Sequence, residues 1–229
     1  MRSLDELLAT SAWARELAPD QLQRTRSAIL VRDLQPGGYA CRKGNQANAW
    51  LGVVDGLVKA VSLSWSGKSV TFAAIPAGSW IGEGSVLKRE VLRYDVIALR
   101  QSRVALMPDR TFFWLLDNSI AFNRFILVQL NERLGQFMAS FEHDRLLDPE
   151  ARIARALANM LHPQLYPGHG RHVHLSQDEL SHIIGASRQR VSQALQVLQE
   201  AELIEVDYGM ITVLDIDGLQ NYRNEAVNS

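Results

Sequence analysis

The period of the apolar positions changes several times along the chain, and each change predicts an element. Two short helical patches, Leu4–Trp13 and Leu22–Leu30, are split by Pro19. From Val31 to Met107 the apolar residues alternate instead, as in Leu57–Trp65 and Ser69–Ile75. Turns punctuate this stretch at Pro36-Gly37-Gly38, Lys43-Gly44-Asn45, Asp55-Gly56, Ser66-Gly67-Lys68 and Pro76-Ala77-Gly78. Short strands at regular spacing between glycine turns predict an antiparallel sandwich or barrel-like roll. Next, Asp117–Leu147 contains no proline and a single glycine, Gly135. Ile120, Asn123, Leu127, Leu130, Leu134, Phe137 and Phe141 follow one another there at steps of three and four, a heptad seam with one polar register position. A second stripe, Phe122, Phe125, Ile126 and Gln129, faces another way. A helix buried in a single core would also be apolar on two sides. The unbroken 3.5-residue period favours a dimer seam, with the second stripe against the roll.

Asp148-Pro149 ends that helix and starts another over Arg152–Leu161, because proline suits a first helical turn and disfavours helical geometry in the residue before it. Pro163–Arg171 reads as a polar connection. It leads into Leu175–Leu203, LSQDELSHIIGASRQRVSQALQVLQEAEL, the stretch with the clearest chemistry. Ser176 and Glu179 form a capping box, Leu180, Ile183 and Ile184 share a face, and Gly185 closes the helix by tolerating positive φ. Ser187 caps a second helix whose Val191, Ala194, Leu195 and Leu198 form a buried stripe. Its other face carries Arg188, Gln189, Ser192 and Gln193, with Arg190 beside them. Two short helices about a glycine turn, the second bearing donors at its N-terminal end, make a helix-turn-helix. A plain helical hairpin with solvated Arg and Gln has the same periodicity. Arg and Gln, however, are the side chains that bond guanine and adenine edges bidentately. Moreover, Ala201–Leu214 alternates and turns at Tyr208-Gly209, as a β-hairpin wing would.

Composition narrows the classes. The 24 Lys and Arg nearly balance the 25 Asp and Glu, and 47% of residues are hydrophobic, enough for packed cores. From Glu150 onward ten acidic residues face six arginines, and no lysine follows Lys88. A nucleic-acid-binding domain here has no broad basic field. It must rely on Arg188, Arg190, backbone N–H groups and helix N-termini. Nothing at the N-terminus resembles a signal peptide, and no run of eighteen apolar residues offers a membrane span. The one cysteine, Cys41, excludes an intramolecular disulfide and fits a cytoplasmic protein.

An enzyme of the cupin type would need histidine and carboxylate ligands in the roll, yet the first histidine is His143. The lone cysteine excludes an iron–sulfur cluster. His169, His172 and His174 have only loose ligand spacing, and Gly82-Glu83-Gly84-Ser85 lacks the Lys-Ser/Thr ending of a phosphate loop. The expectation is therefore no catalytic residue, no metal and no cofactor. A dimeric sensor or scaffold that never touches DNA is the competing class, and the acidic C-terminal region is its support.

In order and spacing, VVDGLVKAVSLSWSGKSVTFAAIPAGSWIGE, LLDPEARIARAL and LSQDELSHIIGASRQRVSQALQVLQEAELI resemble the cyclic-AMP receptor/fumarate-nitrate regulator (CRP/FNR) family over nearly the whole chain. The resemblance implies an α+β architecture: an N-terminal cyclic-nucleotide-binding-type β-roll (1–116), a long dimerisation helix (117–147) and a C-terminal winged helix-turn-helix (148–229). It implies a homodimer on double-stranded DNA, with Arg188, Gln189 and Gln193 reading bases and Ser176 and Ser187 touching phosphates. Relatives with the best-known operators carry Glu and Arg where this chain has Gln189 and Gln193, so the half-site should differ from theirs. The 164–172 loop falls where family activators touch RNA polymerase, but its sequence is different. In the pocket, Gly82 and Glu83, with Ser85 nearby, match a ribose-binding pair, and Arg93 falls on a phosphate-binding arginine, with Tyr94 replacing the serine. Phe137 and Met138 replace two hydroxyl residues that meet adenine in relatives. Glu83 and Arg93 are either a retained ribose and phosphate site or an ordinary ion pair at a turn. Cyclic AMP in the usual mode is not expected, and cyclic di-GMP is the alternative effector.

Overall fold

The computed structural model describes residues 2–63, 69–146, 148–167, 170–207 and 209–222. It divides into two compact units, 1–133 with 164–168, and 134–163 with 169–229. In the first, α1 (Leu4–Thr10), α2 (Ala12–Arg15) and α3 (Pro19–Ala28) precede the strands. Pro19 opens α3 at its first turn, where its missing N–H costs nothing, so the residue that splits the two patches also starts the second helix.

Eight strands follow: β1 (Leu30–Leu34), β2 (Tyr39–Cys41), β3 (Ala49–Asp55), β4 (Leu57–Leu63), β5 (Ser69–Pro76), β6 (Trp80–Ile81), β7 (Asp95–Ala98) and β8 (Ser102–Pro108), with α4 (Glu83–Leu87) between β6 and β7. They build two antiparallel sheets, ordered β1-β8-β3-β6 and β2-β7-β4-β5. Between them lie Leu34, Ala40, Leu51, Val53, Val58, Ile75, Val96 and Val104, all buried. The expected turn at Ser66-Gly67-Lys68 lies outside the described residues. At Asp55-Gly56 the backbone passes so close to Ser102 that a side chain would collide with it, and φ is +90°, so only glycine fits.

On the outer side of the first sheet, α1, α2, α5 (Asp109–Asn118) and α6 (Ile120–Leu146) enclose a second core. Its centre is aromatic: Trp13, Trp50 and Trp80 lie with ring centroids 4.5–5.5 Å apart, and Phe112 and Phe122 meet Trp50 edge-on. The sequence pattern does not separate α5, a ten-residue helix, from the strands before it. Helical geometry breaks at Ser119, whose hydroxyl accepts from the Phe122 N–H at 3.2 Å as α6 begins.

The second unit holds the rest of α6, α7 (Pro149–Asn159), α8 (Gln177–Ile184), α9 (Arg188–Glu200) and α10 (Ile216–Asn221). A small sheet of β9 (His172–Val173), β10 (Ile204–Asp207) and β11 (Met210–Val213), ordered β10-β11-β9, completes it. Asp148 caps α7 by accepting from the Ala151 N–H at 2.9 Å, with Pro149 at the first helical position. Ala151, Ile153, Ala154, Leu157 and Ala158 are buried, and α7 packs on α9 and α10. The alternating Ala201–Leu214 stretch forms the β10–β11 hairpin; Tyr208 of its turn lies outside the described residues. The fold is thus a β-roll and a winged helix-turn-helix, as the periodicity predicts.

Candidate functional site

The helix-turn-helix is assembled from its caps. The Ser176 hydroxyl accepts from the Glu179 N–H at 3.1 Å, and the Glu179 carboxylate accepts from the Ser176 N–H at 2.8 Å. Gly185 ends α8 in the left-handed region, with φ 70°. Ser187 starts α9 by accepting from the Arg190 N–H at 3.3 Å. Val191, Ala194, Leu195 and Leu198 are buried, which fixes the rotation of α9 about its axis. Ser187, Arg188, Gln189, Arg190, Ser192 and Gln193 are consequently all exposed. They crowd the N-terminal turn and a half of the helix, where the backbone N–H groups and the positive end of the dipole also face outward. Gln196 shares this face one turn on, though its amide donates to Glu200 at 3.2 Å.

The two serines differ. Ser187 keeps its own proton for an outside acceptor. Ser176 also donates to the Glu179 carboxylate at 3.1 Å, so a phosphate there would meet a committed hydroxyl beside a negative charge. The wing offers no compensation, since β10 turns Glu205 and Asp207 outward.

In the roll, the expected pocket residues separate. Gly82 and Tyr94 line a cavity of about 180 Å³ between the sheets, closed by Ala40, Leu51, Ile81, Val96 and Leu106, with Cys41 in its wall. Glu83, 1% exposed, turns away from it. Its carboxylate takes the Arg133 guanidinium at 2.6 Å and the Trp50 indole N–H at 3.3 Å. Arg133 also donates to the Trp80 carbonyl at 2.5 Å, as does Gln129 at 3.2 Å. Burial works against the charge on Arg133, but the paired Glu83 carboxylate outweighs it and holds the guanidinium firmly protonated.

The other expected pocket residues lie outside the cavity lining. Arg93 pairs with neither Glu83 nor the cavity: its side chain is 74% exposed and bonds Glu90 at 3.0 Å. Leu92 and Tyr94 point inward, so the residue between them points out. Ser85 is buried on α4 but lies outside the cavity lining. Phe137 and Met138 belong to the second unit and are 63% and 64% exposed, whereas the cavity is built entirely within the first. Pattern-reading missed Arg133, although Phe122, Ile126, Gln129 and Arg133 continue the roll-facing stripe at steps of four, three and four.

Along α6 the roll-facing stripe is buried at Phe122, Ile126 and Gln129. The seam positions Ile120, Leu127, Leu134 and Phe137 are 56–73% exposed, with Val128 and Met138 beside them. Leu130 instead packs partly on the roll-side core. Phe141 lies among residues whose side chains are not described. Asn123 is no open register residue, because its amide donates to the Leu116 and Ser119 carbonyls and caps α5. His172 faces the Thr212 hydroxyl at 3.1 Å, and His169 lies outside the described residues. No group of three His, Cys, Asp or Glu is placed to hold a metal ion among the described residues. No described helix is long and apolar enough to cross a membrane.

A β-roll together with a winged helix that bares donors at a helix N-terminus defines a type of DNA-binding regulator. Residues 31–119 match the cyclic nucleotide-binding domain, and 151–222 the Crp-like helix-turn-helix domain. The chain belongs to the CRP/FNR family of transcription regulators. It is 25% identical to the transcriptional regulator LdrP of Thermus thermophilus over 189 residues, 82% of this chain and 93% of that protein. FixK2 of Bradyrhizobium japonicum has a similar fold, with TM-score 0.68 and 16% identity over 84% of this chain and 96% of the other. So has the c-di-GMP-responsive global regulator CLP of Xanthomonas campestris, with TM-score 0.59 and 20% identity over 86% and 99%. These relatives are regulators.

Proposed function

We propose that the protein is a cytoplasmic homodimer that reads a near-palindromic operator through Arg188, Gln189 and Gln193, and that it does so without cyclic AMP. The exposed seam of α6 supports the dimer. Ile120, Leu127, Leu134 and Phe137 present a contiguous apolar stripe, more than a monomer leaves in water without reason. A twofold dimer sets its two recognition helices about one DNA turn, ~10 bp, apart and so calls for an operator with matching symmetry.

The observation that carries independence from cyclic AMP is the engagement of Glu83. A ribose hydroxyl would have to reach a carboxylate that is 1% exposed and already shared by Arg133 and the Trp50 indole, and opening that buried pair costs about 3–5 kcal/mol. Arg93 stands outside for the phosphate as well. A second reading, favoured by the likeness to CLP and by the exposed ring of Phe137, is that cyclic di-GMP is the effector and stacks on that ring. RNA polymerase remains a proposed partner of the bound dimer.

Calorimetry with cyclic AMP, cyclic GMP and cyclic di-GMP, beside gel shifts on an operator selected from random DNA, tests both readings. Operator binding by the ligand-free dimer, unchanged by all three nucleotides, is the expected result. Micromolar cyclic AMP binding that switches on operator affinity would overturn it.

A further inference from the structure

The roll cavity has a chemical character of its own, and our further inference rests on the reading that the roll has lost the cyclic AMP mode. No charged side chain lines the cavity among the described residues. Ala40, Leu51, Ile81, Val96 and Leu106 form its apolar floor, while Asn45, Gln46 and Asn48, all exposed, stand at its mouth. The charges nearest to it are used elsewhere. Glu83 is held by Arg133, and Asp95 accepts from the Lys43 N–H at 2.8 Å. Arg32 donates to the Tyr39 and Ala40 carbonyls, and Arg93 to Glu90.

An ion moved into such a space would find no counter-charge, and burying an unpaired charge is prohibitive. The two titratable side chains of the wall do not change this. Burial, above all, pushes the Cys41 thiol up to about 11 and the Tyr94 phenol up to about 12, so both are uncharged at neutral pH. Size excludes large ligands as well. At about 180 Å³ the cavity lies below the ~300–1,000 Å³ of drug-sized sites and slightly above the ~150 Å³ that holds one benzene ring.

We propose that the roll cavity binds an uncharged, mainly apolar small molecule of about one ring, with one hydrogen-bonding group directed to the amides at its mouth or to the Tyr94 hydroxyl. Such a ligand removes apolar wall from water and leaves no charge buried unpaired.

Cys41 is the only cysteine of the chain and stands in the cavity wall, so its alkylation reports occupancy. The full-length wild-type protein is treated with iodoacetamide at mildly alkaline pH. Benzamide, benzoate or benzamidinium is present in turn: one shape in neutral, anionic and cationic form. Benzamide is expected to slow alkylation about tenfold when supplied at ten times its dissociation constant, since the rate follows the ligand-free fraction. At the same concentration the two ions should leave the rate within about twofold, because neither can be desolvated there. The variant Ala40→Leu, which fills the floor, should abolish the protection, and the wild-type comparison stands if that variant does not fold. Protection by benzoate, benzamidinium or cyclic AMP equal to that by benzamide, or no protection by benzamide, would overturn the proposal. Gel shifts on the selected operator, run on the same samples, separate the two readings. Protection by benzamide with operator binding that requires cyclic AMP leaves the cavity assignment standing and removes the reading beneath it; operator binding without cyclic AMP and without protection does the reverse.

Discussion

Arg188 stands at the first position of α9, exposed, beside a hydroxyl and the outward N–H groups of the helix start. Its guanidinium can take the two acceptors of a guanine at once, so Arg188→Ala should cost about 1–3 kcal/mol on the selected operator and relax one G·C preference. Equal losses on selected and random duplexes, measured by competition gel shift, would make it a phosphate clamp instead. Glu83 makes a different statement. Glu83→Gln leaves the Arg133 guanidinium, 20% exposed, without its counter-charge and should cost about 3–5 kcal/mol of stability in urea unfolding. Replacing both partners, as Glu83→Leu with Arg133→Met, should recover most of that loss, since an apolar pair needs no compensation. Cys41 sets an alkaline limit. Its folded-state value rises from 9.0 to about 11, so the folded protein keeps a proton that the unfolded chain gives up. That contribution is intact below about pH 9 and disappears as pH climbs through about 11, at roughly 1.4 kcal/mol per pH unit. Melts across this range should show a shallower decline for Cys41→Ala. The recognition-helix residues were legible in the sequence because caps and buried stripe are local and together dictate which side chains face out. The partner of Glu83 was not, because Arg133 is 50 residues away and only the packing of α6 on the roll brings it there.

At the scale of elements, α6 carries two different stripes and the chain covers only one. Leu127→Asp with Leu134→Asp tests the other, since both residues are exposed in the single chain and neither is needed for its own core. The double variant should keep the monomer's helical content and sediment as a monomer, because a dimer would bury unpaired carboxylates. An unchanged dimer would place the interface elsewhere. Leu130 has the same heptad spacing but packs partly on the roll, so it is a poorer probe. This divergence shows what a period conveys: it assigns residues to a face and leaves open how wide the neighbouring core spreads. Asn123 has a seam position and spends its amide on the end of α5. The sequence could not separate α5 from the strands before it because only Pro108 and Asp109 mark a break between Met107 and the apolar run Phe112-Phe113-Trp114, with no glycine among them. By contrast, α7, α8 and α9 were readable in advance, since each starts at a capping Asp or Ser whose geometry the fold realises.

The molecule as a whole has two compact units, and its aromatic residues are distributed unevenly between them. Trp13, Trp50, Trp65, Trp80 and Trp114 all precede residue 134, so the unit that carries the recognition helix contains no tryptophan. Indole emission therefore follows the opening of the roll and its helices alone, while far-ultraviolet dichroism sums both units. Coincident emission and dichroism melts would mean one cooperative transition; separated ones would mean that the two units lose structure independently. The clustered indoles of Trp13, Trp50 and Trp80, 4.5–5.5 Å between centroids, are close enough for their excited states to mix. The protein thus carries a built-in exciton couplet, an optical signal sensitive to ring angle and confined to the place where α1, α2 and α6 grip the roll. Any ligand or operator that alters this grip should change the couplet before it changes the helix content, with no label attached.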